Sequence, residues 1–101
     1  MADFCTKIQR LGKGIGSPSR YRILQELMNG EKTVNELVAV AKLSQPAVSQ
    51  HLSTLKQCGL VESVKRGQEV YYSIDVKYTL EVLRRLTLGI AQCPKKSAIS
   101  K

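Results

Sequence analysis

The side chains able to do covalent or metal chemistry are few and far apart. Cys5, Cys58, Cys93 and His51 are scattered along 101 residues with no Cys-x-x-Cys or His-x-x-His pair. That spacing makes neither a disulfide framework nor a built-in metal site. A Gly-rich phosphate loop and a nucleophile elbow are both missing, so neither an enzyme nor a cofactor site is expected. What remains is hydrogen-bonding and ionic chemistry. Between positions 45 and 57, Val48, Leu52 and Leu55 fall on one side of a helical wheel. Pro46, Ser49, Gln50, Ser53 and Gln57 fall opposite, with Gln45 and Lys56 near the edge. That polar face is almost uncharged, whereas a merely solvated helix more often carries Glu and Lys. Glutamine and serine both donate and accept, which is what base edges in a major groove require. Lys56 suits a phosphate. Further on, Lys65-Arg66-Gly67-Gln68 sets two cations at a turn that cannot bury them, placed to meet water, a phosphate or a minor groove. His51 lies near the edge of the apolar side and reads as a partly buried, hydrogen-bonded histidine rather than a base reader or a sensor.

Charge points the same way. Lys plus Arg is 16 against 8 for Asp plus Glu, a formal charge of +8, so a polyanion (nucleic acid or an acidic membrane surface) is the first partner to test. Apolar residues at 43% and charged residues at 24% suit a folded domain and exceed what disorder allows. A chain of this length supports one core. No apolar run approaches the ~20 residues of a bilayer span. The start, Met1-Ala2-Asp3-Phe4-Cys5, lacks the pattern of a secretory signal, and the sparse cysteines fit a reducing cytoplasm.

The elements that must hold these residues follow from caps and periodicity. Residues 3–11 read as a short amphipathic helix through Phe4, Ile8 and Leu11, broken by Gly12, Gly14 and Gly16. Ser17-Pro18 opens a second helix, with Ile23, Leu24, Leu27 and Met28 as its buried stripe and Asn29-Gly30 as its end. Thr33 and Glu36 have capping-box spacing and start a third, carrying Leu37, Val38, Val40 and Ala41 to about Lys42-Leu43. Ser44 caps the fourth, which runs to Cys58 and Gly59; Cys58 reads as a buried packing thiol. Val61 to Ile74 changes to strand formers, giving two antiparallel strands over 60–66 and 69–75. Asp75 caps a last helix over 76–92 with a stripe of Val76, Leu80, Leu83, Leu86 or Thr87, and Ile90, widened by Val82 and Leu88; Pro94 ends it. The result is a mainly α chain with a β-hairpin, order α-α-α-α-β-β-α, in one domain over 1–93 with a basic flexible tail over 94–101. Two capped helices separated by Leu43 and Ser44, then a ribbon, make a winged helix-turn-helix. The unpaired last stripe marks an interface.

Three blocks, Ser44 to Lys56, Gly59-Leu60-Val61 and Arg66 to Ile74, with Ser17 to Leu24 and Leu27 upstream, closely resemble the ArsR-type (arsenic and zinc repressor) family of winged-helix regulators. The resemblance covers about residues 8–92. It implies a homodimeric repressor of double-stranded DNA that pairs through its first and last helices and reads an imperfect palindrome. On that footing Gln45, Ser49 and Gln50 read bases, Ser53 and Lys56 hold the backbone, and Lys65, Arg66 and Gln68 act from the wing. The family's soft-metal block, Glu-Leu-Cys-x-Cys, is here Glu36-Leu37-Val38-Ala39-Val40, and valine ligates nothing. Its last-helix zinc site uses Asp and His, yet 75–93 holds no histidine. No metal is therefore expected. Cys5 and Cys93 remain, on the two helices that the resemblance packs together. They are small apolar residues, a thiol sensor of oxidant or reactive sulfur, or a metalloid site; the inducer is not named by the sequence. The competing functions are a winged-helix protein-interaction module, which would want apolar or acidic residues on the 45–57 face, and a membrane-surface binder through Lys95, Lys96 and Lys101, which lack an apolar face beside them.

Overall fold

Every helix starts where a side chain takes up free backbone amides. In a computed structural model that describes residues 3–94, Asp3 accepts from the Thr6 N–H at 2.8 Å and opens α1, Phe4–Ile15. Ser17 accepts from Arg20 and opens α2, Pro18–Leu27. Thr33 and Glu36 form the reciprocal capping box of α3, Val34–Ala41. Ser44 caps α4, Gln45–Gln57, and Asp75 caps α5, Val76–Ala91. Lys42 takes a left-handed conformation (φ 57°) between α3 and α4, which lets the chain reverse within the helix-turn-helix. Strands β2, Val61–Arg66, and β3, Glu69–Ile74, form the hairpin around Gly67 and Gln68, with Arg66 opposite Glu69 and Ser63 opposite Tyr72. Residues 95–101, most of the expected basic tail, lie outside the described residues.

Four features differ from the sequence-based expectation. First, α1 does not stop at Leu11 but runs through Gly12 and Gly14 to Ile15. Gly14 is a contact rather than a break: a Cβ there would stand 2.5 Å from Leu60 Cδ1, so α1 comes close to the turn after α4 at a residue without a side chain. Second, a two-residue strand β1, Lys32–Thr33, precedes α3 and pairs with β3, making a three-stranded antiparallel sheet of order β1-β3-β2. Third, Met28 is not buried but 62% exposed; Ile23, Leu24 and Leu27 alone bury α2. Fourth, the inward residue of α5 is Val82, expected only to widen the stripe; Val76, Leu80, Leu83 and Ile90 face outward, leaving the stripe exposed in the protomer as expected.

The core lies where α2, α3 and α4 meet, around Ile23, Leu37, Val48, Leu52, Leu55 and Leu60. Two arginines serve as helix C-terminal partners. Arg20 donates from Nε to the Gly14 carbonyl at 3.1 Å and from Nη2 to the Lys13 carbonyl at 2.8 Å. Arg22 donates to the Ala41 carbonyl at 3.3 Å. These carbonyls end α1 and α3 and have no partner within their helices, so part of the basic surplus is structural. Gly59, at φ 85°, closes α4 with the Tyr78 ring 2.8 Å from where a Cβ would lie, which couples the end of α4 to α5.

Candidate nucleic-acid interface

Helix α4 divides cleanly into two faces. Val48, Leu52 and Leu55 have no exposed surface, which pins the helix rotationally. Gln45, Ser49, Gln50, Ser53 and Lys56 are all exposed on the remaining arc, as the sequence suggested. His51 is half-buried at the boundary and Cys58 is buried beneath the cap. Lys56 has a partner: its Nζ donates to Ser63 Oγ at 2.7 Å, tying α4 to β2. That bond also identifies the face of the ribbon turned toward α4. Side chains alternate along a strand, so Val61, Ser63 and Lys65 share it.

Arg66 therefore leaves the ribbon on the opposite face from Lys65. The sequence read the two as one cationic pair, but the structure separates them. The Arg66 guanidinium forms an ion pair with Glu31, in the turn between α2 and β1, and lies 5.0 Å from the centroid of the Tyr71 ring. The Glu31 carboxylate raises the Arg66 pKa further above its ordinary value, first by hydrogen bonding and then by charge. Gln68 is exposed at the tip. Sequence reasoning missed Glu31, Tyr71 and Ser63. The two strand residues follow once the turn at Gly67-Gln68 sets the register; Glu31 has no local signal.

Helix α1 packs antiparallel on α5. Arg85 stacks on Phe4 at 4.2 Å, and Lys7 lies 6.0 Å from the Tyr78 ring centroid. The thiols of Cys5 and Cys93 are both free and exposed. The Gln9 amide donates to Cys5 Sγ at 3.7 Å. Among the described residues no group of three or more His, Cys, Asp or Glu side chains could hold a metal ion. No helix among them is long and apolar enough to cross a membrane.

A helix-turn-helix with a polar exposed helix and a flanking ribbon is a winged helix-turn-helix, the class of protein this fold defines. Residues 17–63 match the family described as "Bacterial regulatory protein, arsR family". The transcriptional activator HlyU of Vibrio cholerae is 40% identical over 77 residues, which cover 73% of this chain and 71% of HlyU. A probable mercury resistance operon repressor of Streptomyces lividans is 40% identical over 65 residues, 64% of this chain but only 52% of that protein. In three dimensions, an ArsR-like transcriptional regulator from Rhodococcus sp. RHA1 aligns with a TM-score of 0.79 at 29% identity, over 85% of this chain and 81% of its own. The chain belongs to the arsR family, whose members are DNA-binding transcriptional regulators and not enzymes.

Proposed function

We propose that this protein is a homodimeric repressor that reads an imperfect palindrome with one α4 from each protomer and steadies itself with the two wings. The division of α4 carries the reading: an apolar side locked into the core and an outer arc of glutamine and serine. Gln45, Ser49 and Gln50 read base edges; Ser53 and Lys56 serve the backbone, Lys56 partly by holding β2; Lys65, Arg66 and Gln68 act from the wing. The outward stripe on α5, with α1 beside it, pairs the protomers and sets the two α4 helices about 34 Å apart, one turn of duplex. A reducing cytoplasm is the matching compartment.

The test is retardation of genomic fragments by the dimer across a salt series. Eight or so phosphate contacts per dimer give a slope of log K against log salt of about −7, with a selected fragment preferred over a scrambled one. A slope near zero, or no preference among sequences, rejects the reading.

For the releasing signal we propose thiol chemistry at Cys5 and Cys93, both free and exposed, paired within a protomer or across the dimer. An oxidant takes two electrons and two protons from the thiols as the sulfur–sulfur bond forms, and the link shifts the spacing of the α4 helices. Oxidation then lowers operator affinity by about tenfold, a change of about 1.4 kcal/mol. The double change Cys5→Ser, Cys93→Ser abolishes that response; an unchanged response excludes these thiols.

A further inference from the structure

The wing has two chemically different faces. The face turned toward α4 carries Lys65, and Lys32 by its register with Tyr72. The outer face carries Glu62 and Glu69 from the hairpin and Glu31 from the adjoining turn. Arg66 emerges on this acidic side. Its partner in register is Glu69, yet the guanidinium passes over Tyr71 and pairs with Glu31, 35 residues upstream. The side chain is thereby drawn across the sheet from β2, over β3, toward the start of β1, away from the face that holds Lys65.

We propose that Glu31 is a built-in competitor for the wing: its carboxylate occupies Arg66 in the free protein and must be displaced before Arg66 can take a DNA phosphate. This deepens the duplex-binding reading and rests on it. The pair is suited to exchange. Both side chains are about half exposed, so the contact is screened and weak enough for a phosphate to replace it. Tyr71 supports the guanidinium from one side and keeps it oriented while free. The cost of binding is the Glu31–Arg66 contact itself, which is lost when Arg66 turns to a phosphate. Glu31 therefore lowers affinity in proportion to what Arg66 contributes, and it does so on every sequence, because phosphates carry no sequence information.

The experiment compares the parent dimer with Glu31→Gln, Glu69→Gln, Arg66→Ala and the Glu31→Gln, Arg66→Ala double variant, each checked for an unchanged melting profile. Binding to a selected and a scrambled duplex is titrated at about 0.1 M salt. Two exposed pairs per dimer predict a gain for Glu31→Gln of about three- to tenfold on both duplexes. The gain is larger than that of Glu69→Gln, and it disappears in the Arg66→Ala background. A gain that persists without Arg66 marks a general charge effect and overturns the proposal. So does a loss for Glu31→Gln matching that of Arg66→Ala, which would mean that Glu31 aims Arg66 at the duplex. Binding by the parent with no gain for Glu31→Gln overturns the competitor alone. Failure of the parent to retard any duplex at low salt overturns the duplex reading, and the competitor with it.

Discussion

The double change Leu80→Glu, Ile90→Glu should give a folded monomer whose operator affinity is at least about a hundredfold below that of the parent. In the protomer these side chains are 59% and 66% exposed, so their replacement removes almost nothing from the core around Ile23 and Leu52. On the α5 wheel they bracket Leu83, Val76 and Thr87, forming one apolar stripe beside the inward line of Tyr78, Val82 and Leu86. Pairing of two such stripes would bury four new carboxylates per dimer against apolar surface, which is unfavourable unless each finds a partner. Without the dimer each α4 binds its half-site alone, and the roughly 10²–10⁴-fold gain from linking two sites disappears. Sedimentation velocity reads the assembly, circular dichroism the fold, and retardation the affinity. A variant that remains dimeric with parental affinity would move the interface elsewhere. The apolar groove lined by Ile15, Tyr21, Met28 and Leu83 would be the next surface to change.

Gln50→Ala should weaken the selected operator by about thirtyfold or more while leaving scrambled duplex almost untouched. A paired side-chain contact to a base edge is worth about 1–3 kcal/mol, and the symmetric dimer makes it twice. Gln50 is exposed, so the melting temperature should not move. The comparison with Arg66→Ala is informative because that change removes a wing cation and should lower both affinities together. Competition titrations with selected and scrambled duplexes measure the ratio. Equal losses on both would make Gln50 a backbone contact, and no loss would take it out of the interface.

The candidate site was legible in parts that depend on short spans of chain. A buried line at Val48, Leu52 and Leu55 dictates which arc of α4 faces outward, since successive residues turn by about 100°. The candidates Gln45, Ser49, Gln50 and Ser53 needed no more than that. Lys65 and Arg66 were legible as hairpin-tip cations but not as residues with opposite directions and different partners. Lys56 was legible as a cation at the end of a helix but not as a tie to Ser63.

Helix starts were determined by the sequence alone: Asp3, Ser17, Thr33, Ser44 and Asp75 each reach an amide three residues ahead, an interaction complete within one turn. The hairpin register was equally local, because a two-residue turn at Gly67-Gln68 leaves one pairing. Tertiary structure decided the rest. It set Gly14 against Leu60, created β1 along the edge of β3, turned Val82 inward and Met28 outward, and brought Glu31 to Arg66. Those outcomes depend on surfaces contributed by segments distant in the chain, and neither a residue's own propensity nor its near neighbours contain that information.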